Sequence, residues 1–405
     1  MHTKKRIFLL TALLYILYLL FPLFADIVSI PVWLPSMVTV AVIMALYPNA
    51  IANNIFYWFL VYVAVLAVYV LVGRDITIGI GTVVDSYKIF IEIAWVLPPV
   101  LICCVLLYLK DPDVNRSLVN WSTIILYVSF VAAIPLMLRY NSLREALRLE
   151  GVEMIHIAGL PGYSLMHSYT LFLPLMCYAT KTLIGWKKII AFIGLVVLCF
   201  VIYDTFVTTS LIVAIAIIFV SLIYKGGDTT VFWFVLGFIV LIIYTLYLFG
   251  FFISFIDWIM PAFEDTPVES KLIDFKVSMV ERNVTGRTIE TRMNLHRESW
   301  DSFMQNLLFG GGSRSSVGGH SSLLDRFGGM GFIAGFPFVM IFVSFIKQMV
   351  KIYDTKTAKM FFWLGTICAF IFLYQKGNWG CEAWFMYMVL MPMGLLVFEK
   401  NNKND

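Results

Sequence analysis

One polar stretch of the chain, residues 287 to 331, gathers arginines, glycines and a histidine. Its arginines include Arg287, Arg292 and Arg314, and His320 lies toward its carboxyl end. A guanidinium presents a planar fork of donors that fits two oxygens of a phosphate or carboxylate. Histidine is the side chain best suited to accept a proton near neutral pH. These residue types therefore predict a site that binds an anion and moves a proton.

An amphipathic helix over residues 288 to 308 should position these groups. Helical spacing of apolar side chains predicts it, and those side chains are Leu295, Trp300, Phe303, Met304 and Leu307. On that helix Arg292 and His296 are four residues apart and share a side. The glycine-rich run from 310 to 319 ends the helix. That run either lets the backbone approach or hinge around a ligand, or forms a flexible surface turn.

The same residues also have ordinary structural interpretations. Each arginine could form a solvated salt bridge worth about 0 to 1 kcal/mol. The available acids are Glu281, Glu290, Glu298 and Asp301. As a group the arginines favour anion binding. A lone histidine is more often structural, and three others compete with His320 for the proton-transfer role: His156, His167 and His296.

Composition puts this stretch beside a membrane. Of the 405 residues, 61% are hydrophobic and 13% charged, and the mean hydropathy is +0.89. Such a chain is predicted to be an all-α, polytopic membrane protein rather than a water-soluble globular one. A polar loop between hydrophobic helices then suggests a site for an anionic, lipid-linked substrate. No cofactor and no nucleic-acid partner are predicted, and the sequence has no nucleotide-binding glycine motif.

About twelve segments have the roughly 20 mostly apolar residues that a spanning helix needs. They are residues 6 to 24, 30 to 47, 55 to 72, 89 to 109, 118 to 138, 162 to 180, 187 to 203, 207 to 224, 231 to 254, 325 to 346, 359 to 375 and 381 to 398. The whole chain, 1 to 405, is thus predicted to be a single membrane domain.

Basic residues in short loops predict the orientation, because lysine and arginine are retained on the cytoplasmic side. The predicted inner loops and C-terminus carry Lys110, Arg116, Lys181, Lys187, Lys188, Lys225, Lys347, Lys351, Lys356, Lys359, Lys400 and Lys403. Both termini are then cytoplasmic, and the connections at 73 to 88, 139 to 161 and 255 to 324 are external. The last is a long external loop that carries the predicted site, and loops of more than about 12 to 15 residues are usually functional or disordered.

Several other features have simpler interpretations. The basic N-terminus with its long apolar run predicts an uncleaved first span rather than a secretory signal. The run from Asp111 to Asp113 has Asp-x-Asp metal-site spacing but is predicted to be a turn. Glu92 and Asp204 give weak indications of an ion path. The six cysteines lie within or beside apolar spans and are predicted to be small buried hydrophobic residues.

A family resemblance is carried mainly by residues of the polar stretch. They are Gly286, Arg287, Arg292, Trp300, Leu308 to Gly312, His320, Leu323 and Gly328 to Gly331. Together they resemble the signature of the O-antigen polymerase and ligase superfamily of membrane glycosyltransferases. The segment from Ala158 to Pro174 is also similar to part of the oligosaccharide repeat-unit polymerases of the Wzy type. This chain has Ser321 where family members often have Asn, and Leu211 where they commonly have Arg.

The resemblance implies a GT-C-like fold and an inverting, metal-independent glycosyl transfer at the external face of a bacterial inner membrane. His320 would take the proton from the acceptor hydroxyl. The diphosphate would be bound by arginines drawn from Arg287, Arg292, Arg314, Arg148 and Arg139. The implied substrate is an undecaprenyl-diphosphate-linked oligosaccharide in membrane lipid, and the product is O-antigen, capsule or exopolysaccharide. A chain-length regulator and a flippase are implied partners.

Two other functions remain open on the sequence. A ligase of the same superfamily would share the donor site and transfer the finished glycan to a different acceptor. A flippase or transporter would move lipid-linked saccharides without chemistry. Transporters tend to have repeated halves and interrupted helices, whereas this chain concentrates its polarity in one loop.

Overall fold

Helices make up most of the described protein. The computed structural model describes residues 2–28, 30–31, 33–72, 76–77, 83–84, 86–139, 163–205, 207–224, 226, 237, 251–264, 269, 272–273, 276, 288–311, 317–375 and 379–404. A chain with long apolar runs must satisfy its backbone hydrogen bonds internally once it is in lipid, and a helix does so within one segment.

The elements follow one another in a simple order. The helices are α1 (His2–Leu20), α2 (Pro22–Val28), α3 (Trp33–Leu46), α4 (Asn54–Leu71), α5 (Ser86–Leu109), α6 (Pro112–Arg139), α7 (Tyr163–Thr182), α8 (Gly185–Asp204), α9 (Thr208–Ile223), α10 (Phe251–Ile259), α11 (Thr288–Gln305), α12 (Ser322–Ile352), α13 (Lys356–Gln375), α14 (Cys381–Phe385) and α15 (Met391–Asn404). A π-helical turn, Met386–Leu390, joins α14 to α15 as one helix. Two short strands, β1 (Ile76–Thr77) and β2 (Val83–Val84), pair antiparallel between α4 and α5.

Six helical segments among the described residues are long and apolar enough to cross a membrane. They are Asn54–Leu71, Pro112–Ile134, Gly185–Asp204, Ser322–Ile352, Lys356–Gln375 and Cys381–Lys400. Large apolar side chains such as Trp186, Ile190 and Phe200 of α8 are exposed on the outside of the bundle. Lipid is the solvent that suits such a surface. The chain is therefore a polytopic membrane protein, as its composition predicts.

Every predicted span except the ninth coincides with a helix. The ninth, 231 to 254, lies almost entirely outside the described residues. Shorter apolar helices occur at Trp33–Leu46, Ile93–Leu109 and Thr209–Ile223. The helix predicted over 288 to 308 is present as α11, although it ends at Gln305.

Polar contacts mark one end of the bundle, which we call the lysine end. Lys5 of α1 donates to Asp111 before α6, and Asn53 and Gln348 exchange hydrogen bonds of 3.0 and 2.7 Å between α4 and α12. Glu399 of α15 accepts backbone amides at the turn between α12 and α13. Basic residues at or near helix ends here are Lys4, Lys5, Arg6, Lys110, Arg116, Lys181, Lys187, Lys188, Lys347, Lys351, Lys356, Lys359 and Lys400.

The helices run from there to the opposite end, which we call the histidine end. It receives His167 near the start of α7, His296 from α11 and His320 directly before α12. The backbone of α6, which begins at the lysine end, carries Arg139 to this same side. The segments that approach the predicted site are therefore helix ends on one side of the bundle.

The core lies around the continuous helix of α14 and α15. Of the 18 consecutive residues that define its candidate span, 89% are buried, more than in any other candidate span of the described chain. Trp384 stacks on Phe342 of α12 with ring centroids 4.9 Å apart. All six cysteines are free, five of them are buried, and Cys199 is partly buried. This confirms their predicted role as small apolar side chains.

Candidate functional site at the histidine end

Helices α11 and α12 meet backbone to backbone through glycines. Gly328 of α12 lies against Ser299, where an added Cβ would come within 2.5 Å of the serine carbonyl oxygen. Gly318 packs on Leu295 so closely that a Cβ would overlap the leucine carbonyl group. Ser302 adds a hydrogen bond of 2.8 Å to the Gly328 carbonyl. Gly318, which belongs to the glycine-rich run, thus serves close backbone packing.

A break in α12 at Gly331 lets the chain that follows α11 cross it. Gly331 has φ +65° and ψ −165°, a conformation that is essentially restricted to glycine. At the break, the amides of Phe332 and Ile333 donate to the carbonyls of Leu307 and Leu308 at 2.8 and 3.1 Å. The turn after α11 is therefore fixed to α12 by backbone hydrogen bonds.

A buried carboxylate in the first turn of α12 gathers several donors. Asp325 is 1% exposed. Its Oδ1 accepts from the Ser299 hydroxyl at 2.6 Å, and its Oδ2 accepts from the Ser321 amide at 3.0 Å. The Ser299 hydroxyl oxygen in turn accepts the Gly318 amide at 3.0 Å. Partly buried His320 therefore lies in a segment that Asp325 holds directly at Ser321 and through Ser299 at Gly318.

Ser321 sets the start of α12. Its side chain accepts the Leu324 amide at 3.0 Å, which is a helix N-cap. Ser321 therefore fixes the helix start that immediately follows His320.

The last turn of α13, residues 372 to 374, connects the histidines. The His167 ring lies 4.9 Å from the Phe372 ring, and the His296 ring lies 4.9 Å from the Tyr374 ring. Between them, the Ser321 hydroxyl donates to the Leu373 carbonyl at 3.4 Å. Three sequence-distant candidates, His167, His296 and the segment of His320, are thus brought to one helix end.

A buried arginine stands next to Asp325 in α12. Arg326 is 5% exposed, and its Nε donates to the Tyr62 hydroxyl at 3.0 Å. Its Nη1 donates to the Ser322 carbonyl at 2.6 Å, and the guanidinium carbon lies 4.2 Å from the Phe338 ring centroid. Burial of a guanidinium requires such hydrogen bonds and aromatic contact. Arg326 therefore fixes α12 against α4 at the site.

Helix α11 has three distinct faces. Ser299 and Ser302 are buried against α12, whereas Trp300 and Met304 are exposed. Arg297 pairs with Asp301 at 3.8 Å on the exposed side. An exposed apolar stripe next to an ion pair suits a helix at a membrane–water interface. The predicted apolar cluster is therefore divided, since Trp300, Met304 and Leu307 are exposed while Leu295 and Phe303 are partly buried.

A second polar cluster lies on α7. His167 Nδ1 is 3.0 Å from the Ser210 hydroxyl of α9. Close to one turn earlier, the Ser164 hydroxyl donates to Glu382 of α14 at 2.7 Å. His167 is 5% exposed, so its hydrogen bond satisfies a buried ring nitrogen. This geometry suits a structural histidine more than one that must reach a substrate.

An apolar groove runs along α13 toward the histidine end. Its volume is about 530 Å³. The lining residues include Ile346, Trp363, Ile367, Phe370, Tyr374 and Gln375. Tyr374 closes the groove at the histidine end and is the residue against which His296 lies. The groove thus connects the apolar outside of the bundle with the histidine cluster.

The predicted site residues are described to different extents. His320 is partly buried at the start of α12. Arg292 and Arg139 have described backbone positions, on α11 one turn before His296 and at the end of α6, but their side chains are outside the described part. Arg148, Arg287 and Arg314 lie wholly outside the described residues, as does His156.

Sequence reasoning missed Asp325, Arg326 and Glu382. It selected Glu92 and Asp204 as the acids associated with spans, and the Glu92 side chain lies outside the described part. A signal for the missed residues exists, because charged residues within an apolar helix are costly and tend to be functional. Averaging hydropathy over a window conceals them.

The Asp-x-Asp run is a helix cap. Asp111 Oδ1 accepts the amides of Asp113 and Val114 at 2.9 and 3.3 Å, and its other oxygen accepts from Lys5. The hydrogen bond from Lys5 lowers the pKa of the Asp111 carboxyl, and the two backbone amides also lower it. These contacts fit the predicted turn, and they use both oxygens of Asp111.

Comparison with known proteins assigns no function to this site. No protein-family model matches the chain, and no curated protein matches it. The residues at the histidine end are therefore the basis for a functional proposal.

Proposed function

We propose that this protein is a membrane glycosyltransferase that polymerises lipid-linked oligosaccharide repeat units, with His320 as the catalytic base. One observation carries the proposal. Partly buried His320 lies between the Ser321 amide, which Asp325 accepts, and the Gly318 amide, which Ser299 accepts, at the bundle end that also receives the backbones of Arg139 and Arg292. A base near cationic residues is what acid–base chemistry on a diphosphate-linked substrate requires.

The charge distribution supports an external site. Basic residues are concentrated at the lysine end, and such residues are retained in the cytoplasm. We infer about twelve spans in a GT-C-like arrangement, with both termini cytoplasmic and the histidine end external. Cytoplasmic nucleotide sugars cannot reach that face, whereas lipid-linked donors can.

The apolar groove along α13 supports a donor with a long hydrocarbon chain. It opens to the outside of the bundle through Trp363 and Ile367, which are 38% and 42% exposed. It ends at Tyr374, beside His296. A polyprenyl chain in this groove would place its diphosphate at the histidine end. Undecaprenyl diphosphate is a donor carrier of this kind.

The proposed reaction is a single displacement. The acceptor sugar hydroxyl gives its proton to His320, and the oxygen forms a new bond to the anomeric carbon of the donor chain. The bond from that carbon to the diphosphate breaks, and configuration inverts. Arginines at the site stabilise the charge that develops on the departing undecaprenyl diphosphate. Each charge-assisted contact contributes about 1.5 to 3 kcal/mol.

Arg292 offers a test of the diphosphate contact. Arg292→Lys keeps the charge but removes the bidentate fork, so turnover should fall about 10-fold or more. The matched control is Arg297→Lys on the same helix, because Arg297 is exposed and pairs with Asp301. The control should keep wild-type turnover. Equal polymer yield from both variants would remove Arg292 from the site.

Reconstitution tests the proposal as a whole. Purified protein in liposomes would be incubated with undecaprenyl-diphosphate-linked oligosaccharides extracted from the native membranes. A ladder of lengthening products supports the polymerase. A single transfer to a second acceptor would indicate a ligase, and movement across the bilayer without a new glycosidic bond would indicate a flippase. Either of these last results would overturn the polymerase.

A further inference from the structure

We propose that Asp325 is a positioning residue that holds the backbone on both sides of His320 in the orientation that turnover requires. The inference rests on the proposed function, because it gives Asp325 a role in delivering the base. Asp325 lies inside a candidate membrane helix, and in the proposed reaction it contacts no reacting atom.

The clamp consists of donors from two different segments. Asp325 Oδ2 accepts the Ser321 amide at 3.0 Å. Its Oδ1 accepts the Ser299 hydroxyl of α11 at 2.6 Å. One side chain therefore ties the residue after His320 to α11.

A second hydrogen bond holds the segment on the amino-terminal side of His320. The Gly318 amide donates to the Ser299 hydroxyl oxygen at 3.0 Å. Gly318 also lies against the Leu295 backbone, where a larger residue would not fit. The segment from Gly318 to Ser321 is thus held at both of its ends, and His320 lies between them.

The two carboxyl oxygens of Asp325 suit this role, because each accepts from a different segment. An asparagine has a single acceptor oxygen, and its amide group would direct donors toward other donors. Asp325→Asn therefore preserves the volume of the side chain while breaking part of the clamp.

Positioning has kinetic consequences because proton transfer depends on distance. A candidate base must lie within hydrogen-bond reach of the proton that it removes. A misplacement of about 1 Å can cost about 100-fold in rate. Loosening the His320 segment should therefore lower kcat while leaving substrate binding nearly unchanged.

The lysine end supplies a matched control. Glu399 is 3% exposed and accepts the amides of Asp354, at 3.1 Å, and Thr355. It is a buried carboxylate that clamps a turn next to α12, as Asp325 does, but far from His320. Both amides donate to Oε1, an acceptor that glutamine would keep, so Glu399→Ala is the variant that removes this clamp, and it should do so without an effect on turnover.

Hydrogen–deuterium exchange tests the clamp independently of activity. In purified protein, Asp325→Asn should speed exchange of the Ser321 amide by about 10-fold or more. Glu399→Ala should leave that amide unchanged and speed exchange at Asp354 and Thr355. Unchanged exchange at Ser321 in Asp325→Asn would overturn the inference. If that variant fails to fold, Ser299→Ala removes one donor to the same carboxylate and should speed exchange at Gly318.

A double-mutant cycle with His320→Ala tests the positioning role. With the extracted lipid-linked oligosaccharides as probe, Asp325→Asn should lower kcat about 10- to 100-fold with KM within about 3-fold. In the His320→Ala background the same change should cost less than about 2-fold, because nothing is left to position. Additive losses, or a Glu399→Ala variant that is equally impaired per folded molecule, would refute a positioning role.

The outcomes separate this inference from the proposed function. Wild-type turnover in His320→Ala would reject the base assignment, while exchange would still decide whether the clamp exists. An inactive His320→Ala combined with an unimpaired Asp325→Asn would keep the base and reject the positioning residue. Where His320→Ala has no measurable residual rate, the kcat-against-KM split of Asp325→Asn decides.

Discussion

The two ends of α12 are held by the same device with different consequences. At the histidine end, Asp325 accepts the Ser321 amide and the Ser299 hydroxyl. At the lysine end, Glu399 accepts the amides of Asp354 and Thr355. Both carboxylates are buried. A buried acid that clamps a turn is therefore not by itself a sign of function, and the residue carried by the clamped turn makes the difference.

The ends also differ in how closely backbones approach. At the histidine end, α11 and α12 touch through glycines with no side chain between them. At the lysine end, α4 and α12 are joined by the side chains of Asn53 and Gln348. Close backbone contact tolerates little change, whereas a side-chain pair can rearrange. The histidine end should therefore be the more sensitive to small substitutions.

The largest expected effect on stability comes from Gly331→Ala. Gly331 has φ +65°, and an added Cβ would overlap the Leu308 carbonyl. We expect a loss of about 3 kcal/mol, measured as a lower unfolding temperature in detergent. The control is Gly185→Ala near the lysine end, where φ is +60° but no atom lies within 4 Å. It should cost about 1 kcal/mol. Equal losses of stability in the two variants would show that the positive φ, and not contact of the new Cβ with Leu308, causes the loss at Gly331.

Removing the clamp at the lysine end should come next. Glu399→Ala leaves the amides of Asp354 and Thr355 without this acceptor, so stability should fall by about 2 kcal/mol. Turnover of the protein that remains folded should be unchanged. A proportionate loss of turnover per folded molecule would break the distinction between the two ends.

The amide pair at the lysine end should contribute less. Gln348→Ala should cost about 0.6 kcal/mol, because polar pairs within membranes average that value. The remaining Asn53 still accepts the Ile55 amide at 2.9 Å. A double-mutant cycle with Asn53→Ala measures the coupling directly. A coupling several-fold larger would mean that the lysine end is as tightly specified as the histidine end.

The smallest effect concerns acid stability at the lysine end. The hydrogen bond from Lys5 lowers the pKa of Asp111 below its ordinary value of 3.8. A lowered carboxyl pKa adds stability above that value, and the contribution disappears as the pH falls through the lowered pKa. Asp111→Asn should therefore flatten the pH dependence of unfolding below about pH 4, by no more than about 0.5 kcal/mol. An unchanged acid limb in that variant would show that the Lys5 contact does not contribute.

Much of the fold could be predicted because hydropathy acts along the chain. Apolar runs of spanning length gave helices at every described predicted position, and Asp111 formed the predicted turn. The role of Gly318 was not predictable, since packing against Leu295 is a contact between segments. The interior face of α11 was also missed, because Ser299 and Ser302 are buried by glycines of another helix.

The candidate site was predictable only in part. His320 is identified by the glycines and arginines near it in the sequence. Asp325 lies at the start of a predicted span and is counted there as part of an apolar helix. The role proposed for Asp325 depends on its hydrogen bond with Ser299, which is 26 residues away in sequence. No local pattern reports such a contact. The convergence of His167 and His296 on the last turn of α13 is likewise a result of tertiary packing.

The most direct test of the central claim compares one substitution from each end in the same assay. Purified His320→Ala and Gln348→Ala would be reconstituted with the extracted lipid-linked oligosaccharides, and the rate of chain lengthening measured per folded molecule. Loss of a general base should lower the rate by about 100-fold or more in His320→Ala. Gln348→Ala should stay within about 2-fold of wild type, because its effect on stability is small. Chain growth at the wild-type rate in His320→Ala would contradict the account.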